Sequence, residues 1–170
     1  MITTIKEFNE KLNVLDETLL YDFIKSKTNV KDIIKISNID YNLIFDINIH
    51  NNVLNLDWIN VKSNKYSGKD LINALIKICK YYNLTKIKAT GAKGKYHNTN
   101  SFGYYVLLKY GFIPKEGIKL INKTLNTQYK NFEEAYSDIN FLTLWKNNGL
   151  EYDGVLDLNP NSLSMKIYNN

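Results

Sequence analysis

Hydrophobic and polar residues alternate most strictly between positions 41 and 49, where Tyr41, Leu43, Phe45, Ile47 and Ile49 take every second place. A period of two marks a strand with one buried face. Asn51-Asn52 follows, and asparagine tolerates the positive φ of a tight hairpin turn, so Val53–Val61 is expected to return as the neighbouring strand. Its pattern breaks phase: Leu54, Leu56 and Trp58 share one face, and then Ile59 and Val61 continue on the other. A β-bulge near Trp58–Ile59, one extra residue in the strand, produces such a break. A strand buried on both faces produces it equally.

The pattern then changes to the helical period. Leu71, Leu75, Ile78 and Tyr82 form one side of a helix opening at Ser67-Gly68, with Ile72, Ile76 and Cys79 adjoining. Lys69, Asn73, Lys77 and Lys80 populate the opposite side, and Asn83 ends the helix. Residues 86–90 read as a short strand, and the order strand, helix, strand implies a parallel, right-handed crossover. A polar, lysine-rich loop over 91–98 leads to a helix over about 100–110 that stops at Gly111. Before this region, Thr4 and Glu7 have the spacing of a capping box. Ile5, Phe8 and Leu12, then Leu19, Leu20, Phe23 and Ile24, form two short apolar stripes, and a weak strand spans 30–36. After it, a strand is expected at 118–122. A helix over 132–149 follows, with Asn131 and Glu134 at its start, Phe132, Tyr136, Ile139 and Leu142 as its stripe, and Gly149 at its end. A final strand is expected at 163–168. The two prolines, Pro114 and Pro160, mark boundaries.

Composition narrows the class. The 170 residues suit one domain with a real core, and 44% hydrophobic content excludes a disordered or fibrous chain. No apolar run approaches the roughly 20 residues of a membrane-spanning helix, and the first twelve residues lack the apolar centre of a secretory signal. Cys79 is the single cysteine, so no internal disulfide can form, and a cytoplasmic, reducing compartment is the expectation. The net charge of +5 comes with 22 basic residues that are all lysine. Lysine lacks the planar, bidentate readout of arginine, and these lysines are scattered along the chain, so a specific nucleic-acid interface is not expected. The excess of lysine, asparagine and isoleucine is that of an AT-rich genome, bacterial or viral; the compartment would be the host cytoplasm if viral. Two distant histidines and one cysteine give no zinc spacing, so no metal is expected. Gly94-Lys95-Tyr96 lacks the rest of a phosphate-binding P-loop.

The chemistry lies between Val53 and Phe112. A turn that opens a helix presents free backbone amides and the positive end of the helix dipole, a ready site for a diphosphate. Here the turn is Lys65-Tyr66-Ser67-Gly68-Lys69-Asp70: Gly68 lets a backbone approach closely, Lys65 and Lys69 add charge, and Ser67 offers a hydroxyl. This strand–turn–helix segment, with Asn100 preceding Gly111-Phe112 by the length of a helix and the phase break at Trp58–Ile59, resembles the GNAT superfamily of N-acyltransferases. The resemblance covers a little over a third of the chain.

It implies an α/β fold, with a mixed, mostly antiparallel twisted sheet flanked by helices and a splayed, bulged central strand, as one domain over 1–170. It also implies acetyl-CoA as cosubstrate. The backbone of Ile59 and Val61 would pair with the pantetheine arm, Lys65, Ser67, Gly68 and Lys69 would meet the diphosphate, and Asn100 would bond near the thiol or cap its helix. Asp57 is the best-placed general base, with Asp46 on the facing strand as its alternative. Tyr104 and His97 are the candidate acid–base groups beyond it, while His50 beside the hairpin turn reads as surface. Gly103 falls inside the expected helix, where glycine costs about 1 kcal/mol against alanine, and calls for a ligand or another backbone at close range, or for tight packing. The implied activity is acetyl-CoA-dependent transfer to an unknown amine, on a protein or a small molecule. One glycine place of the family's loop is held by Asp70, and its usual tyrosine position by Leu107. These two departures favour the alternative of a catalytically inactive interaction module of the same fold. A small basic nucleic-acid-associated protein is the third reading.

Overall fold

The computed structural model describes residues 33–37, 39–48, 50–96 and 99–170. The capping box at Thr4 and Glu7, both early apolar stripes, and His97 lie outside the described residues. The chain divides into two compact units, 1–87 and 88–170.

In the first unit, β1 (Ile33–Ser37), β2 (Tyr41–Asn48) and β3 (Val53–Val61) run antiparallel in sequence order. The hairpin between β2 and β3 turns on Asn52, whose φ is 53°. Its neighbour Asn51 donates its N–H to Asn48 Oδ1 at 3.0 Å. The bulge expected from the sequence is present one residue earlier than the phase break suggested. Trp58 lies opposite Ile44 while Leu56 lies opposite Phe45, which makes Asp57 the extra residue. Leu54, Leu56, Ile59 and Val61 therefore all fall on the face of Ile47, Phe45, Leu43 and Tyr41. Tyr41, Leu43, Phe45, Leu54 and Leu56 are buried there, while on the other face Val53 is buried, Asn55, Trp58 and Asn60 are half-buried, and the extra residue Asp57 is exposed.

The bulge also sets the direction of the backbone. Lys62 N–H donates to Asp40 C=O at 2.7 Å. In an antiparallel pair, facing residues alternate between hydrogen-bonded and non-hydrogen-bonded. Asn60 with Asn42 and Trp58 with Ile44 are then bonded pairs, and the amides and carbonyls of Ile59 and Val61 point away from β2. Before the bulge the even-numbered residues of β3 hold that position. In keeping with this, Asn52 C=O accepts from Thr85 N–H at 2.8 Å.

Helix α1 (Gly68–Tyr81) buries Leu71, Ile72, Leu75, Ile76, Ile78 and Cys79. It ends where Asn83 turns left-handed at φ 56°. There Leu84 N–H reaches Cys79 C=O at 2.8 Å and Asn83 N–H reaches Lys80 C=O at 3.3 Å. This is a Schellman closure, with asparagine in the usual glycine place. Burial pushes the Cys79 thiol up to about 12, which fits the core role read from the sequence and excludes a nucleophile. Strand β4 (Lys86–Gly91) follows, and the unit boundary falls within it.

The second unit holds the rest of β4, a hairpin of β5 (Lys93–Tyr96) and β6 (Thr99–Phe102), α2 (Gly103–Lys109), β7 (Ile113–Pro114), α3 (Ile118–Leu125), α4 (Phe132–Ser137), α5 (Phe141–Asn148), β8 (Tyr152–Asp157) and α6 (Leu163–Asn169). Its strands lie in the order β4-β8-β7, with β7 and β8 antiparallel. Four expectations are corrected here.

The polar loop over 91–98 is in part a strand, because the chain pairs locally with 99–102. Asn100 sits opposite Lys95 in that hairpin and is not a helix cap. The helix starts later, at Gly103, so Gly103 is not in a helix interior. A Cβ at Gly103 would lie 3.1 Å from Ala92 N and 3.3 Å from Ala92 O, so the close neighbour is another backbone.

Residues 118–122 belong to helix α3, which buries Ile121 and stops at Asn126 in the left-handed region. Asn122 holds the following turn, accepting from Thr127 Oγ1 at 3.0 Å and Tyr129 N–H at 2.9 Å and donating to Tyr129 C=O at 2.8 Å.

The helix expected over 132–149 is two helices. Asn131 caps the first, accepting from Glu134 N–H at 2.8 Å. The chain leaves the helix at Asp138, whose carboxylate accepts from Tyr129 Oη at 2.6 Å and Asn140 N–H at 2.8 Å. Ile139, assigned to the apolar stripe, is 92% exposed as a result.

Residues 163–168 form helix α6, capped by Ser162, which accepts from Met165 N–H at 3.1 Å. The strand is β8 instead, where buried Tyr152, Gly154 and Leu156 alternate with more exposed neighbours.

Candidate functional site

The turn between β3 and α1 is anchored from both sides. Asp40 accepts from Ser63 Oγ at 2.8 Å, and its C=O accepts from Ser63 N–H at 3.2 Å. Lys65 donates its N–H to Ser63 Oγ at 3.2 Å and places its ammonium 3.8 Å from Asp40 Oδ2 and 5.0 Å from the centre of the Tyr66 ring. Tyr66 is buried and meets Tyr41 edge-on at 5.3 Å. Neither Asp40 nor Tyr66 was singled out in the sequence. Asp40 precedes a strand without belonging to its alternation, and Tyr66 is one tyrosine among thirteen.

At the amino end of α1, Ser67 is the N-cap and forms a capping box with Asp70. Asp70 Oδ2 accepts from Ser67 N–H and from Ser67 Oγ, each at 2.7 Å, while Asp70 N–H donates to Ser67 Oγ at 3.2 Å. Two of the amides that an anion would use at this turn are thus taken by the chain's own side chains. The Ser67 hydroxyl, expected to face a diphosphate, is directed at Asp70, because a carboxylate three residues on is the stronger local acceptor. Gly68 is the first helical residue beyond the cap and stands half-buried at the turn.

The Ser67 backbone and hydroxyl bonds hold the Asp70 carboxyl below the usual carboxylate range. A depressed folded value gives stability that is present above the unfolded value, near 4, and that fades as pH falls through the lower folded value. Asp70→Ala is expected to cost about 1 kcal/mol at neutral pH and to flatten the acid side of the stability profile. Urea unfolding across pH 2–7 (roughly the carboxylate range) checks it, and an unchanged profile would remove the box from the account.

Asp57 occupies the bulge two residues before Ile59. Burial, then the neighbouring Asp46 charge, pushes its carboxyl above the ordinary range. Asp46 is itself half-buried and accepts from Asn55 Nδ2 at 2.9 Å. The bulge therefore sets an exposed carboxylate of raised basicity on the strand whose Ile59 and Val61 amides face away from β2. His50 is exposed in the hairpin turn, at the other end of the strand.

In the second unit, Tyr104 is corrected from acid–base candidate to core residue. It is 4% exposed, and its hydroxyl donates to Lys146 C=O at 2.5 Å. Lys93 donates to Gly149 C=O and lies 5.1 Å from the centre of the Tyr104 ring. Tyr104 thus supplies a donor to one of the last carbonyls of α5, which have no helical donor of their own, and Lys93 supplies one to the Gly149 cap just beyond it. Leu107 is buried in the same core. Lys69 is exposed on the first turn of α1. Among the described residues, no group of three or more His, Cys, Asp or Glu could hold a metal, and no helix is long and apolar enough to cross a membrane.

No family model and no curated protein sequence matches the chain. Among solved structures it is similar to the PaiA N-acetyltransferase from Thermoplasma acidophilum in complex with coenzyme A, with 20% identity, coverage of 68% of this chain and 73% of that one, and a TM-score of 0.40. It is also similar to Tetrahymena GCN5, with 11% identity, coverage of 93% and 86%, and a TM-score of 0.44.

Proposed function

We propose that this chain is an acetyl-CoA-dependent N-acyltransferase of the GNAT kind, one functional domain acting on an amine of a protein or a small molecule in the cytoplasm. The observation that carries the reading is the bulge at Asp57, which turns the backbone of Ile59 and Val61 away from β2 immediately before the helix-opening turn. Those outward amides suit an extended, amide-bearing arm such as pantetheine. Lys65, Gly68 and Lys69 at the turn suit a diphosphate. The Ser67–Asp70 box must open for the diphosphate to reach the first turn, since a carboxylate seated there repels it.

In the transfer, acetyl-CoA supplies the activated acyl group. Asp57 takes a proton from the acceptor ammonium, and the freed amine attacks the thioester carbonyl oriented by the strand amides. As the C–N bond forms the C–S bond breaks, and coenzyme A leaves as the thiol with the second proton shed by the attacking nitrogen. Positioning and electrostatics supply most of the acceleration.

Asp70 supports a second reading, a non-catalytic interaction module of the same fold, because its carboxylate occupies the anion position unaided. Calorimetry with coenzyme A separates the two. Micromolar binding is expected, weakened about tenfold by Lys65→Glu as a like charge enters beside the diphosphate. Absence of binding at millimolar coenzyme A would end the enzyme reading and leave the module.

A further inference from the structure

We draw no further inference here: the strongest candidate, the side-chain cluster of Asp46, Asn55 and Asp57 around the bulge of β3, belongs to the site already described, and nothing in the structure shows a ligand that it would hold.

Discussion

Asp57→Asn is expected to slow acyl transfer by about 10²–10⁴-fold, the usual contribution of a positioned general base, while leaving coenzyme A affinity unchanged. The substitution is nearly isosteric and removes only the charge. The carboxyl is raised above its ordinary value in the folded chain, so its protonated form is the one that folding favours. For such a group the stabilising contribution is present at low pH and is lost as pH rises through the folded value. Asparagine mimics the protonated form, so the variant should be no less stable than the parent at neutral pH. The rate profile adds a sharper test. Turnover in the parent should rise with pH as Asp57 loses its proton, with a midpoint above that of an ordinary carboxylate, and this limb should vanish in the variant. Release of free thiol from acetyl-CoA, followed with an amine that supports turnover in the parent, reads both quantities. A variant that retains the parent's rate and acid limb would remove Asp57 from the chemistry.

Trp145→Ala is expected to cost about 3–5 kcal/mol in the second unit. Trp145 is fully buried, and its Nε1 donates to Tyr104 C=O at 2.9 Å. It meets Tyr152 edge-on at 6.1 Å, and a Cβ on Gly149 would come within 2.8 Å of its ring. Truncation opens a cavity and leaves a buried carbonyl without its donor, and these two penalties add. Trp145→Phe loses the same N–H but leaves a smaller cavity, so it should cost less than the alanine variant and no less than the about 1–3 kcal/mol of the stranded acceptor. Urea unfolding followed by far-UV circular dichroism gives both values. A cost below about 1 kcal/mol for the alanine variant, far under the cavity range, would show that the ring is not the centre of this core.

Legibility in the sequence followed the kind of interaction. Elements with one buried face declared themselves by period, so β2, β3 and α1 were readable to within a residue or two. The bulge was readable because a phase break in a strand has few physical causes, although the extra residue proved to be Asp57. The second unit was less readable. There, short helices are held by side chains that reach carbonyls far along the chain, such as Tyr136 Oη to Leu108 C=O at 2.5 Å and Tyr152 Oη to Phe112 C=O at 3.0 Å. Such bonds leave no periodic trace. The break at Asp138 is similar, because the Tyr129 hydroxyl that fixes it lies nine residues earlier. Two signals were present and passed over: Ser162 as a cap before a helical run, and the alternation of Tyr152, Gly154 and Leu156. At the site, the turn was located correctly, but spacing alone does not show which way a side chain swings. The return of Asp70 onto Ser67 needed coordinates.

The extra residue in β3 gives this strand a reading frame of its own. Because Asp57 is the unpaired residue, excising it would leave Trp58 to Val61 opposite the same residues of β2 and would remove only the bulge and its carboxylate. Leu56, Ile59 and Val61 would stay on the inner face, whereas one further residue inserted between Trp58 and Val61 would put the alternation out of step with β2. A three-nucleotide in-frame deletion at that codon should therefore leave the β2–β3 pairing standing while it abolishes whatever the bulge and its carboxylate do, which separates the strand's folding from its chemistry.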